Sequence, residues 1–280
     1  AVAANDCHGS FHPGSRGCHL EEAGIGVTIQ RLWRKPDSKQ QDEWPRMEQG
    51  EYRSYRAVHP FDERFGVDTS GLVYELPSGH HHDAYNNGYF AVAPSVFHSV
   101  MQALRDRLGL DYRRFSFVDV GSGKGRALLL ALDYPFREII GVELSPELDR
   151  VARANIARYA GAGHRAPVSS IQGDAAVFQW PPVPLVIYMW NSFTGPVMEQ
   201  VFRNLEASLA QLPRELYLVY IHPELESILD GLPWLNRLWR EDFAMSEEDY
   251  TAWAFPNRDE MCAVYGALPQ PAVTKVSITR

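Results

Sequence analysis

Apolar residues follow two different periods along the second half of the chain. Short apolar runs of strand length alternate with longer stretches in which apolar positions recur at helical spacing. The short runs lie at 117–120, 139–143, 168–172, 185–190 and 215–221. Helical spacing is typical of 94–104, where Val96, Val100 and Leu104 share one face, and of 196–212. This alternation predicts an α/β fold with a parallel sheet and right-handed crossovers.

A glycine-rich segment follows the first apolar run. That run ends near Asp119, and Gly121, Gly123 and Gly125 alternate with other residues before an apolar helix that begins at Arg126. Glycine is required where the backbone turns tightly or approaches a ligand with no Cβ between them. The free N–H groups at the start of the following helix favour a ligand that carries polar or negative groups. The segment therefore indicates a nucleotide-like ligand.

Three glycine motifs compete for this segment. A P-loop requires Gly-Lys followed by Ser or Thr, whereas Gly125 follows Lys124 here and places no hydroxyl for magnesium. A dinucleotide motif, Gly-x-Gly-x-x-Gly counted from Gly121, would need its last glycine at Arg126. The third form, Asp-x-Gly-x-Gly-x-Gly, is complete from Asp119 onwards. It resembles the first motif of the class I S-adenosylmethionine-dependent methyltransferases.

The resemblance implies a fold and a cofactor. It implies a doubly wound, mostly parallel sheet of seven strands with helices on both faces, the last strand antiparallel, preceded by an N-terminal loop and helix. Two C-terminal strand candidates, at 234–243 and 261–268, with a helix start at Ser246 between them, fit that count. The implied cofactor is S-adenosyl-L-methionine. The expected cofactor-binding residues are Asp119, Gly121, Ser122, Gly123, Gly125, Glu143, Asp174, Ala175 and Tyr89.

Two later strand ends carry acids in the order that this family requires. Glu143 lies 24 residues beyond Asp119 and can accept hydrogen bonds from both ribose hydroxyls. Ser145 follows as a helix cap, with Pro146 at the first helical position. By resemblance, Asp174 matches the acid that faces the adenine amino group. Because the carboxyl ends of parallel strands share one edge of the sheet, these acids are expected to lie together.

The fourth strand ends at Asn191, which we interpret as the catalytic residue. The resemblance places the transferable methyl group at this strand end, and the side-chain carbonyl of an asparagine can orient an amine. Aromatic residues around it, Tyr85, Tyr89, Trp190 and Phe193, either line the acceptor pocket or simply pack in the core.

The acceptor is expected to be a nitrogen of a protein side chain or a small molecule. The strand end and the aromatic segment before it resemble non-SET protein-lysine methyltransferases, with 89–94 as the loop that covers the cofactor. Ser192 departs from the Asn-Pro-Pro-Tyr/Phe tetrapeptide of many amino-group methylases. A small-molecule O-methyltransferase and a non-catalytic module that binds the cofactor remain alternatives.

Composition and the positions of glycine and proline limit how the chain can be organised into domains. The 280 residues, 45% apolar and 22% charged, are typical of a globular protein with a large core. We expect a poorly ordered extension over 1–50, a cover segment and helix over 51–110, and the cofactor-binding α/β domain over 111–280. A net charge of −8 argues against a nucleic-acid groove, and no apolar run is long enough for a membrane span. The expected location is the cytoplasm.

Cysteine and histidine clusters do not predict a metal site. Cys7 and Cys18, each followed by a histidine, have spacing that matches no zinc finger or ribbon. Three cysteines are too few for a disulfide framework, and Cys262 is expected in a buried strand. The run 80–82 of three histidines is expected to be a solvated loop.

Overall fold

A computed structural model describes residues 58–73, 77–159, 166–252 and 257–267. Internal contacts divide the chain into two units, Ala1–Arg46 and Met47–Arg280, and the described residues all belong to the second. The predicted extension over 1–50 and its Cys-His pairs lie outside the described residues. The predicted boundaries at 50 and 110 stay predictions.

The described residues form nine strands and seven α-helices. The strands are β1 (Leu72–Val73), β2 (Tyr89–Phe90), β3 (Ser116–Val120), β4 (Glu138–Glu143), β5 (Val168–Gln172), β6 (Leu185–Trp190), β7 (Leu216–Ile221), β8 (Asn236–Ala244) and β9 (Asp259–Ala267). The helices are α1 (Pro60–Phe65), α2 (Pro94–Leu108), α3 (Arg126–Ala131), α4 (Pro146–Arg158), α5 (Gly195–Gln211), α6 (Glu226–Asp230) and α7 (Glu247–Thr251).

Seven strands form one mixed sheet in the order β5-β4-β3-β6-β7-β9-β8. Neighbours are parallel from β5 to β7, and β9 is antiparallel to both β7 and β8. The predicted seven-stranded, mostly parallel sheet with an antiparallel last strand is therefore confirmed. β1 and β2 form a separate antiparallel pair.

Helices cover both faces of the sheet, as predicted. On one face α5 contributes Val201 and Leu205 to an apolar core that includes Ile187 and Leu218. On the other face Phe97 of α2 packs edge-on against Phe117, with ring centroids 5.9 Å apart. The central strands are apolar on both sides because both sides are covered.

Local capping signals fix where the helices begin. Ser145 caps α4 by accepting from the backbone N–H of Leu148, and proline occupies the first position of both α2 and α4. The short helix α1 was not predicted, and the segment around it lacks helical periodicity. Among the residues that the structure describes, no helix combines the length and apolar character needed to cross a bilayer.

Strand order reverses between β3 and β6, which lie side by side although β4 and β5 follow β3 in the chain. In open α/β sheets a ligand binds at such a switch point, beyond the carboxyl ends of the strands. The glycine segment after β3 and Asn191 after β6 both lie there. The fold therefore brings the predicted site residues to one edge.

Candidate active site

The glycine loop turns three times through left-handed backbone. Gly121, Gly123 and Gly125 have φ values of 77°, 54° and 85°, which favour glycine. A Cβ on Gly121 would lie 2.4 Å from the Cβ of Ser192, and one on Gly123 would lie 2.1 Å from Cδ2 of Tyr89. Two of these glycines are therefore required by close side-chain packing as well as by the turn.

Glu143 is bound directly to this loop. Its Oε2 accepts from the backbone N–H of Gly123 at 2.7 Å, and its Oε1 accepts from the backbone N–H of Ser145 at 2.8 Å. Burial raises the pKa of Glu143 to about 6, although those two backbone hydrogen bonds oppose the shift. The carboxylate thus joins the glycine loop to the start of α4 and keeps lone pairs for a ligand.

Asp119 and Glu143 face the same small region. Asp119 is buried at the carboxyl end of β3, and its pKa is raised well above the usual value by burial and then by the charge of Glu143. Two nearby buried acids do not both ionise readily. A ligand with hydroxyl or cationic groups would relieve that repulsion.

Asp174 lies against the histidine run. Its side chain accepts from the backbone N–H of Ala176 at 2.9 Å, so Ala175 begins a short 3₁₀ turn beside it. Nδ1 of His82 lies 3.1 Å from Oδ2 of Asp174, and Nε2 of His80 lies 4.0 Å from the same oxygen. The prediction of a solvated loop is wrong for His82, which is 3% exposed.

The three histidines do bring ring nitrogens within 4.8 Å of one another, close enough to suggest a metal site. However, Nδ1 of His80 accepts from the backbone N–H of His82 at 3.2 Å. In that tautomer Nε2 of His80 carries the hydrogen, and it lies 4.0 Å from Oδ2 of Asp174. His81 is exposed.

Asn191 directly follows β6 in a left-handed conformation with a φ of 38°, which is uncommon for a residue other than glycine. Its Oδ1 accepts from the hydroxyl of Tyr220 at 3.3 Å, and its backbone carbonyl accepts from Nδ2 of Asn87 at 2.6 Å. Among the described residues, Nδ2 of Asn191 has no hydrogen-bond partner although it is buried. The free polar group of this side chain is therefore the amide nitrogen.

The aromatic residues fall into two groups. Trp190 is 9% exposed and lies near Phe90, with ring centroids 5.8 Å apart, at the edge where Asn191 lies. Phe193 belongs to the apolar core under α5, and Tyr85 is 38% exposed. Only the position of Trp190 suits a wall of an acceptor pocket.

Tyr89 covers the glycine loop from the N-terminal side. Its hydroxyl donates to the carbonyl of Thr69 at 2.6 Å, its ring lies against Gly123, and burial raises its pKa. The expected cover segment therefore does contact the loop.

Sequence reasoning missed the charges that anchor this cover. Nζ of Lys124 donates to Oδ1 of Asp68 at 2.8 Å, and burial lowers the pKa of this lysine to about 7. Arg126 donates from Nε to Oγ1 of Thr69 at 2.7 Å, and its Nη2 lies 3.7 Å from Oδ1 of Asp62. In the sequence Lys124 and Arg126 stand at the start of a helix, where charged side chains are usually solvated, so nothing there marks them as buried.

Sequence reasoning also missed His222 and Glu260. His222 directly follows β7, next to Ile221, which pairs with Trp190 in the sheet. Nε2 of His222 lies 3.9 Å from Oε1 of Glu260, which has no exposed surface. A polar residue directly after an apolar strand was the available signal for His222, as it was for Asn191.

No family model matches this chain, and no curated protein matches it either. Solved structures do resemble it. A putative RNA methyltransferase from Pyrococcus horikoshii is 18% identical, with 61% of this chain and 83% of that chain covered and a TM-score of 0.42. A TehB-like SAM-dependent methyltransferase from Corynebacterium glutamicum is 15% identical, with 65% and 90% covered and a TM-score of 0.38.

A variant of MtNAS in complex with S-adenosylmethionine is 18% identical, with 62% of each chain covered and a TM-score of 0.40. At these values the likeness carries no conclusion about the activity of this chain.

Proposed function

We propose that this chain is an S-adenosylmethionine-dependent methyltransferase whose acceptor is a nitrogen of a protein side chain or a small molecule. The observation that carries the proposal is the contact between Glu143 and the glycine loop at the switch point of the sheet. A carboxylate fixed beside a left-handed glycine turn at this place suits the ribose of a nucleoside.

The residues present fit the proposed cofactor. Glu143 has lone pairs for two ribose hydroxyls, and Asp174 offers a carboxylate at the end of β5 for an adenine amino group. The backbone N–H groups of the glycine loop are bonded within the chain, so the loop would contact the cofactor through the close approach of its backbone. Ser122 and Ala175 would add to these contacts, with Tyr89 as the cover. When bound, S-adenosylmethionine supplies an electrophilic methyl group on a sulfonium.

The chain itself would contribute alignment and exclusion of water. Holding two reactants in attack geometry lowers the barrier without acid–base chemistry at the methyl group. Asn191 can donate from its free Nδ2 and can still accept on the second lone pair of Oδ1, so it can hold an acceptor in one orientation. The Trp190 ring would wall the same space and favour a cationic acceptor.

Calorimetry with S-adenosylmethionine tests the cofactor. We expect binding at about micromolar Kd, and a loss of at least about tenfold in Glu143→Gln. Glu138→Gln is the matched control, because Glu138 lies at the opposite end of the same strand and bonds Ser116 there. Absence of binding heat from the wild-type chain would contradict the proposal.

Transfer from labelled cofactor to fractionated metabolites and proteins tests the acceptor. Label that survives mild base in an amine-containing product is the expected result, and Asn191→Ala should reduce transfer while leaving cofactor binding intact. Label in a base-labile ester or an ether would favour an O-methyltransferase. Binding with no transfer would favour a non-catalytic module.

A further inference from the structure

Two neighbouring strands end in residues with the same unusual backbone. Asn191 follows β6 with a φ of 38°, and His222 follows β7 with a φ of 46°. Trp190 and Ile221 are partners in the parallel pairing of these strands, so Asn191 and His222 occupy adjacent positions beyond it, about 5 Å apart by the spacing of strands. Strained residues of this kind cluster at functional sites.

Glu260 lies behind His222. It is fully buried, and neither carboxyl oxygen has a hydrogen bond of standard geometry among the described residues. Burial raises its pKa to about 8, partly opposed by the side chain of Trp190. Such a buried acid is costly unless a partner is supplied. Oε1 lies 3.9 Å from Nε2 of His222, which is too long for a hydrogen bond.

His222 and Glu260 differ in how far their side chains are exposed to solvent. The side chain of His222 is 11% exposed, whereas that of Glu260 has no exposed surface. A substrate can therefore reach the imidazole but not the carboxyl. The Trp190 ring stands edge-on to the imidazole, with centroids 4.9 Å apart, and holds it in this place.

We propose that His222 is a second residue of the methyl-acceptor site, and that Glu260 positions it to receive a protonated amine. This inference rests on the methyltransferase function proposed above. The substrate class follows from charge: an ammonium group that reaches the imidazole at this edge would favour the ionised form of Glu260, which burial disfavours. Burial lowers the pKa of His222 to about 4, so the imidazole is neutral and has a lone pair to offer.

The proton balance of the step is simple. The step requires the ionised form of Glu260. With Nε2 facing that carboxylate, the lone pair of Nδ1 on His222 takes one proton from the acceptor ammonium, and the charge of Glu260 balances the imidazolium that forms. The freed amine forms the N–C bond to the methyl group while the C–S bond breaks and its electron pair stays on sulfur. The product is a protonated methylamine, and His222 returns its proton to solvent.

A pair of nucleoside analogues tests this inference without a known acceptor. Sinefungin carries an amine where the transferable methyl group would lie, and S-adenosylhomocysteine carries nothing there. The measurement is the ratio of their Kd values by calorimetry in His222→Ala and Glu260→Gln. We expect the preference for sinefungin to fall by about tenfold or more in both, because a charge-assisted contact is lost.

His98→Gln is the matched control, because His98 forms a similar pair with Asp133 at 3.7 Å on the surface away from this edge. It should leave the ratio unchanged. A loss of folding would weaken both ligands together and would show in the thermal midpoint, so the ratio isolates the local effect. Labelled transfer by His222→Ala should also fall by about a hundredfold with S-adenosylmethionine still bound.

The possible failures are distinguishable. If the wild-type chain binds both nucleosides but the ratio is the same in all variants, the role of His222 and Glu260 is overturned and the methyltransferase proposal stands. If the wild-type chain binds neither nucleoside, the proposed function fails and this inference fails with it.

Discussion

Two largely buried polar clusters of this molecule, one of which includes the exposed Asp68, are built in opposite ways. The anchor network, formed by Asp62, Asp68, Lys124, Arg126 and Asn155, ties the N-terminal segment to the glycine loop, and each of its charged groups has a partner. The acceptor edge, formed by Asn191, His222 and Glu260, contains an amide nitrogen and a carboxyl without full partners among the described residues.

The difference indicates different roles. A fully bonded polar cluster fixes one geometry, because any rearrangement would leave a charge unpaired in the core. A cluster with buried polar atoms that lack hydrogen-bond partners, and with two left-handed residues, is unfavourable by itself. Such a cluster suits a ligand that supplies the missing hydrogen bonds. We therefore read the anchor network as support for the site and the acceptor edge as part of it. Substitutions in the two clusters should have opposite effects on stability.

The largest expected effect is the loss of stability in Arg126→Met. The guanidinium donates to Thr69, Ser70 and the carbonyl of Val92, so its removal leaves several buried acceptors and Asp62 without a cation. We expect the free energy of unfolding to fall by about 3–5 kcal/mol, measured by urea denaturation.

Arg105→Met is the control for that change. Arg105 is exposed, and within the part of the chain that the structure describes its ion pair is with its neighbour Asp106 at 3.4 Å, so its removal should cost less than about 0.5 kcal/mol. If the two variants lose similar stability, the anchor network does not have the role that separates it from the acceptor edge.

Glu260→Gln should act in the other direction. The pKa of Glu260 is raised from 4.5 to about 8, so the folded state favours the protonated acid. The wild-type chain therefore loses stability as the pH rises through that interval, and a glutamine does not. Above pH 8 we expect the variant to be more stable than wild type by about 1–3 kcal/mol, with the difference vanishing near pH 4.5.

Thermal melts of both chains across this pH range measure the effect. Tyr188, Cys262 and Asp249 also bear on Glu260, and they are present in both chains, so the difference curve isolates the substituted group. A variant that is less stable than wild type at every pH would show that Glu260 is bonded as fully as the anchor network.

The contrast also explains what the sequence could predict. Strands, caps and the glycine turn depend on local periods and on residues a few positions apart, so the sheet and the places of Asp119, Glu143 and Asn191 were predictable. The count of seven strands and the antiparallel last strand came from the family resemblance. The anchor network joins residues such as Asp68 and Lys124 that lie 56 positions apart, and no local pattern pairs them.

The burial of His82 against Asp174 could not be predicted either, because these two residues are also far apart in the sequence. A run of three histidines among Gly, Asp and Asn has the composition of a surface loop, and only the folded chain brings it to the end of β5. Glu260 was hidden differently, because an acid at the start of an apolar strand is usually solvated. His222 alone carried a usable signal, its place at the end of an apolar strand.

A smaller effect is expected from pH on cofactor binding. The proposed role of Glu143 requires its ionised form, because a carboxylate accepts from both ribose hydroxyls. Its pKa is raised to about 6, so affinity for S-adenosylmethionine should rise with pH below that value and level off above about pH 7. Calorimetry from pH 5 to pH 8 should show a change of about tenfold in Kd.

Glu143→Gln should be weaker at every pH and should lack this dependence. A wild-type affinity that does not change between pH 5 and pH 7 would place the cofactor contact elsewhere. It would also mean that Glu143 serves only to hold the glycine loop to α4, as the residues of the anchor network hold the N-terminal segment.

The smallest expected effect concerns Tyr89, which extends the anchor network onto the glycine loop. Tyr89→Phe keeps the ring against Gly123 and removes the hydroxyl that donates to Thr69. One net hydrogen bond is worth about 1 kcal/mol, so urea denaturation should show a loss of that size, with cofactor affinity nearly unchanged. Tyr85→Phe, at an exposed position, should change neither quantity. If Tyr89→Phe instead weakens cofactor binding by tenfold or more with no loss of stability, the hydroxyl contacts the ligand, and Tyr89 belongs with the acceptor edge rather than with the anchors.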